Sequence, residues 1–358
     1  PGLNVMYGDI DGNIAWWAVA KLARRPSHVN SNLFLDGASG KDEPLGYFEA
    51  AENPQAENPP WNYVYSANNQ PDTIYAAADS GKGTLYPGYY VPENRAERIV
   101  HFLDSAEQWT LEEMKKMSTD ITSPTYPLLA KYILDALVPG TLGSIQSKVW
   151  KELAEWKGSH RLNEAGPVIY NKLVYRILYN AMADELGDET FYALLSTHLM
   201  KRSISGLLKN GMSIWWDDIN TKDRQETRAQ VFTLAFEQTI KELETQLGQD
   251  VSRWTWGKVH TVEYVHPIGR KKPFDKLFNV GPIPLTGGNE VINNLGFTMT
   301  GEGVYKVTYG PAMRIIIDFF DIENSISILP TGQSGNVFSS HYSDQAMKYA
   351  EGKFRKQM

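Results

Sequence analysis

The stretch Ser66-Ala67-Asn68-Asn69-Gln70-Pro71 decides how the rest of this 358-residue chain is read. Pro71 has a fixed φ and no backbone N–H, and it biases Gln70 toward extended geometry, so helix is excluded there. Just upstream, Tyr63-Val64-Tyr65 has the β-branched and aromatic composition of a strand. The sequence therefore predicts a strand that opens into a loop at the rim of a sheet, with two side-chain amides aimed by a rigid element. An aimed amide N–H is a good donor to a developing oxyanion. Paired asparagines before proline are also ordinary turn formers, so these six residues taken alone allow a purely conformational role.

Upstream, Tyr7-Gly8-Asp9-Ile10-Asp11-Gly12-Asn13-Ile14-Ala15-Trp16-Trp17 reads as strand, tight turn and strand, a β-hairpin. Its alternating Asp9, Asp11 and Asn13 imitate the start of a calcium loop. That reading fails because Ile14 and Ala20 stand where the loop needs Gly and Glu. Residues 24–60 hold Pro26, Gly37, Gly40, Pro44, Pro54, Pro59 and Pro60 among their prolines and glycines, which suits a covering loop better than a core. Downstream, Pro92-Glu93-Asn94 opens a helix that begins with Arg95. A cation at a helix N-terminus opposes the dipole there, which hints that Arg95 serves something outside its own helix.

From Thr110 to Gln249 apolar residues recur at helical spacing, as in Ile169, Leu173, Ile177, Leu178 and Met182. Such stripes make core. Thr110 and Glu113 have the spacing of a capping box. Trp215-Trp216-Asp217-Asp218 interrupts the helices and reads as packing plus a turn. Val259 to Val265 alternates with period 2, a strand. His260 and His266 have no acidic companion at metal-ligand spacing and are read as structural. Val304 to Tyr309 and Arg314 to Phe319 read as buried strands. The sequence thus divides into three segments of one structural unit: 1–94, strand and loop with the paired asparagines, 95–250, helical, and 251–358, strand-rich.

A net charge of -7 with scattered Lys and Arg argues against a nucleic-acid partner. No apolar run approaches the length of a membrane span. The absence of cysteine removes disulfides, thiolate catalysis and Cys-ligated zinc at once. Ser334 in Gly332-Gln333-Ser334-Gly335 lacks the Gly-x-Ser-x-Gly spacing of a nucleophile elbow.

These motifs occur in order: the Tyr7 to Ile14 hairpin, Ala67-Asn68-Asn69-Gln70-Pro71, a helical middle, Phe278-Asn279-Val280-Gly281-Pro282, Gly287-Gly288-Asn289, and Leu329-Pro330-Thr331-Gly332-Gln333-Ser334-Gly335. The ordered set resembles the penicillin acylase family of N-terminal-nucleophile hydrolases along nearly the whole chain. The resemblance implies an α+β fold, part of an αββα sandwich with central strands from both ends of the chain and a long helical insertion. It implies an amide hydrolase that removes an acyl group from an amide such as a β-lactam or an acyl homoserine lactone. Matched motif to motif, it makes Asn68 the oxyanion-hole donor and Arg95 a positioning residue. The nucleophile in that family is the N-terminal Ser of a mature β chain, and its own α-amine is the base. This chain starts at Pro1 and is expected to be the C-terminal part of such a β chain, inactive alone. Its partners would then be the rest of the β chain and an α chain from the same precursor, in a periplasmic or secreted enzyme. The chemistry needs no cofactor; a structural calcium is a further expectation, with Asp79 as its ligand. The alternative from another class is a non-catalytic ligand- or carbohydrate-binding module, favoured by the aromatic content of 12%.

Overall fold

The computed structural model describes residues 3–30, 33–71, 90, 92, 94–137 and 143–357. The chain is mixed α+β, as its sequence predicts, and forms two compact units, Pro1–Glu107 and Gln108–Met358. The first boundary therefore falls beyond 94. Helix α1 (Asn94–Leu103) belongs to the first unit, where Ala96 is wholly buried with Tyr65 and Ala67. No boundary falls at 250 either, because Trp254, Trp256, Phe297 and Tyr305 share one continuous core with the helices.

In the first unit, β1 (Leu3–Gly8) and β2 (Ile14–Val19) form the expected hairpin, registered from Leu3 opposite Val19 to Gly8 opposite Ile14. Strand β3 (Gln55–Glu57) adds to the far side of β2. The Asp9 carboxylate closes the turn by accepting from the N–H groups of Asp11 (3.0 Å) and Asn13 (2.9 Å) and from the Asn13 amide (2.9 Å). Those bonds, the Asn13 amide foremost, hold its carboxyl below the ordinary range. Gly12 takes φ +86° in the same turn, a conformation open to glycine without steric cost.

The second unit begins with α2 (Leu111–Ser118), whose capping box forms: Glu113 N–H donates to Thr110 Oγ1 (3.3 Å) and Thr110 N–H to Glu113 Oε2 (2.8 Å). Helices α3 (Tyr126–Ala136), α4 (Ser144–Glu155), α5 (Gly166–Leu195), α6 (His198–Lys209) and α7 (Arg228–Leu247) follow. Helix α5 is kinked at Gly187, where φ is +70°. Its predicted stripe of Ile169, Leu173, Ile177, Leu178 and Met182 is buried against Phe232, Phe236 and Leu243 of α7 and others. Burying each such side chain contributes about 1.5–3 kcal/mol, so this core is the main source of the unit's stability.

Strand β4 (His260–Tyr264) runs antiparallel to β5 (Val280–Pro284) and parallel to β6 (Tyr305–Lys306). Strand β8 (Ile326–Ile328) lies between β7 (Arg314–Ile316) and β9 (Arg355–Lys356). The two late strands are shorter than the sequence predicts, and 314–319 is not covered on both faces. Arg314 and Ile316 point inward, whereas Ile315, Ile317 and Phe319 are exposed. An all-apolar run does not reveal which face is packed; here Arg314 claims the inner one by stacking on Tyr349 at 3.8 Å.

Candidate functional site

The loop before Pro71 turns through three left-handed asparagines: Asn58 at φ +43°, Asn62 at +62° and Asn68 at +60°. Asparagine tolerates this region because its short side chain bonds locally. The Asn58 side chain instead bonds across to the hairpin, accepting from Ile14 N–H (2.9 Å) and donating to Asn13 Oδ1 (3.1 Å), which ties the loop to it.

Residues 63–65 form no strand, contrary to their composition. Tyr65 and Ala67 instead bury themselves against Ala96, with Tyr63, Ile99, Val100 and Leu103 around them. Tyr63 Oη donates to Asp104 Oδ1 at 2.9 Å. Apolar side chains that find their burial on a helix have no need of a ladder partner, so the rigid element that aims the asparagines is α1 and not a sheet edge.

Arg95, in the first turn of α1, extends Nη2 to Ala67 O (2.6 Å) and to Asn68 Oδ1 (3.1 Å). A guanidinium only donates, so it selects the oxygen end of the Asn68 amide and turns Nδ2 the other way. Among the described residues nothing accepts from that Nδ2. Asn68 lines a pocket of about 400 Å³ together with Leu3, Asn4, Trp16, Tyr65 and Tyr90. The cation on its oxygen also polarises the amide and strengthens the outward N–H as a donor. Asn69 behaves differently: Oδ1 accepts from Ala67 N–H (3.3 Å) and Nδ2 donates to Gln70 O (3.2 Å). Its side chain is spent on its own loop.

The structure thus brings Asn68 and Arg95 together across 27 positions of sequence. Asp79 lies outside the described residues, so its expected calcium is not placed. Among the described residues no group of three or more His, Asp or Glu is arranged to hold a metal ion. His260 is wholly buried, with its ring nitrogens 2.7 Å from Leu285 O and 3.2 Å from Leu295 O, and burial lowers its pKa to about 4. His266 stacks on Phe278 and accepts from Ile268 N–H. Ser334 Oγ accepts from Asn336 N–H within a turn. Although His341 Nδ1 sits 3.2 Å from Asp344 Oδ2, no hydrogen bond joins that ring to Ser334 Oγ. The sequence reading passed over two residues. One is Asn4, which shares the pocket and was detectable only by projecting β1 onto the face of Trp16. The other is buried His160, whose pKa burial also lowers to about 4.

The family model for penicillin amidase matches residues 1–358. An acyl-homoserine lactone acylase, QuiP, of Pseudomonas aeruginosa is 24% identical over 98% of this chain and 44% of its own length. Penicillin G acylase of Escherichia coli is 26% identical over 46% of this chain and 19% of its own. Among solved structures, the thermostable penicillin G acylase of Alcaligenes faecalis superposes with a TM-score of 0.60 at 16% identity, covering 100% of this chain and 64% of that one. That likeness shows the fold. The chain spans less than half the length of the QuiP acylase it matches.

Proposed function

The chain belongs to the penicillin amidase family, and we propose that it supplies the charge-stabilising half of an amide hydrolase site. The observation that carries this reading is the Asn68 amide, its oxygen held by Arg95 and its N–H unspent in a pocket. In the proposed reaction a nucleophile attacks the carbonyl carbon of an acyl amide, and the carbonyl oxygen becomes an alkoxide. Asn68 Nδ2–H donates to that oxygen as its charge develops. Such a donor is worth roughly 2.7–4 kcal/mol in the transition state. Arg95 keeps the amide from rotating and places a cation behind it.

The nucleophile in this reading is the N-terminal serine of a mature β chain of which these residues form the later part. Its α-amine, with an ordinary pKa of about 7.7–8.0, takes the hydroxyl proton. The substrates are acyl amides such as β-lactam side chains or acyl homoserine lactones, and the enzyme works in the periplasm or outside the cell. A crystal structure of the assembled enzyme with a boronic-acid analogue of the tetrahedral intermediate tests the assignment. Asn68 Nδ2 is expected about 2.7–3.1 Å from the anionic oxygen. An analogue bound with Asn68 turned elsewhere removes Asn68 from the mechanism.

A further inference from the structure

In β1 the side chains of Asn4 and Met6 share a face, opposite Ala18 and Trp16 of β2. Trp16 is only 5% exposed, and its indole Nε1 donates to Asn4 Oδ1 at 2.9 Å. An indole N–H cannot accept, so this bond decides the orientation of the amide: oxygen toward Trp16, Nδ2 away from it. Among the described residues nothing accepts from that Nδ2. Asn4 and Trp16 both line the pocket of Asn68.

The pocket therefore holds two asparagines built on one plan. In each, a donor-only side chain claims the oxygen, Arg95 for Asn68 and Trp16 for Asn4, and the NH₂ is left unspent. Much of the remaining wall is apolar: Ala18, Ala20, Leu22, Pro54 and Tyr65. A single tetrahedral oxygen uses Asn68. Ser66 and Asn69 also line the pocket, but the Asn69 side chain is spent on its own loop, so a second oriented amide beside these apolar residues is suited to a second acceptor on the same ligand.

We infer that Asn4 is a specificity-determining residue whose Nδ2 donates to an oxygen substituent, hydroxyl or oxo, carried on the acyl group itself. Trp16 is its positioning residue. The inference rests on the acylase reading for its place in catalysis, but binding alone reports on it. A wall that offers a donor favours the ligand that supplies an acceptor, here by about three- to tenfold for one partly solvated hydrogen bond.

The test measures affinities of phenylacetamide and its ortho-, meta- and para-hydroxy forms for this chain by calorimetry, and kcat/KM for the matching anilides in the assembled enzyme. At least one hydroxy form is expected to be preferred over phenylacetamide, with Asn4→Ala cutting that preference three- to tenfold. Asn4→Leu, which keeps the bulk but loses the donor, cuts it as well, and Trp16→Phe, which keeps a ring but loses the N–H, reduces it in part. No preferred isomer, or a preference that survives both Asn4 variants, overturns the inference. An assembled enzyme without turnover, or with turnover indifferent to Asn68→Ala, sinks the acylase reading, while the affinity ratios still decide the role of Asn4.

Discussion

The Asn68 loop of the first unit and the Asn289 loop of the second use similar parts to opposite ends. Each has an asparagine, a left-handed non-glycine residue and a cation nearby: Asn68 with Arg95, and Asn289 beside Glu290 at φ +57°, which pairs with Lys201 at 3.2 Å. Asn289 is 8% exposed and has both ends of its amide engaged. Its Nδ2 donates to Phe297 O (2.9 Å), while its Oδ1 accepts from Phe297 N–H (3.2 Å) and Tyr309 Oη (3.4 Å). Its neighbour Asn293 is buried too and accepts from Arg314 Nη2 at 2.8 Å. Among the described residues nothing accepts from the Asn68 amide N–H. A motif asparagine is thus a candidate for chemistry when its donor end is unspent beside a cavity, and a scaffold when both ends of its amide are matched within the fold.

The sharpest way to break this contrast is Asn68→Ala. In the assembled enzyme kcat for a chromogenic phenylacetyl amide is expected to fall about 10²- to 10³-fold, with little change in thermal midpoint. A loss of only a few fold would make Asn68 another scaffold asparagine.

The next prediction concerns the histidines buried in the second unit. Both His160 and His260 have pKa values lowered by burial to about 4, against about 6.5 in an unfolded chain. Between pH 6.5 and 4 the unfolded state binds more protons, so stability is full above pH 6.5 and is lost as pH falls toward 4. The loss is on the order of 3 kcal/mol per histidine. Urea unfolding of this chain at pH 7 and pH 4.5 measures it; a flat response would mean that these rings are not held neutral.

Arg95→Ala removes a charged donor from Asn68 Oδ1 and Ala67 O, contacts of the kind worth about 1.5–3 kcal/mol. Turnover is expected to fall about ten- to a hundredfold, less than for Asn68→Ala, because the donor survives but loses its aim. Equal losses in the two variants would instead give Arg95 a direct contact with substrate.

Asn289→Ala leaves the Phe297 backbone groups buried without partners. It is expected to destabilise the second unit by about 1–3 kcal/mol with no comparable fall in kcat. The smallest effect is reserved for Asn69→Ala, about 0.5–2 kcal/mol from lost local hydrogen bonds and read as a shift in thermal midpoint. If Asn69→Ala depressed kcat more than Asn68→Ala, the two neighbours would have to exchange roles.

Much of the local structure was legible because its causes are local. Alternation around the turn at Asp9 announced the hairpin, Thr110 and Glu113 announced their cap, and the 3- and 4-spaced stripe from Ile169 to Met182 announced α5. Tyr63 to Tyr65 misled because strand composition records only that a side chain suits burial, and α1 supplied that burial without a ladder. The run from Arg314 to Phe319 misled for a related reason: composition counts apolar residues but does not say which face they pack.

By itself, the sequence determined the α+β class, the helical middle, the ordered motifs and the short list of polar side chains worth following, since each depends on spacing within a few residues. Only the tertiary structure decided which of two adjacent asparagines keeps a free donor and which end of each amide is claimed. Those choices are made by Arg95, 27 residues beyond Asn68, and by Trp16, 12 beyond Asn4. An amide is a donor at one end and an acceptor at the other, and only the folded neighbours determine which end is left free.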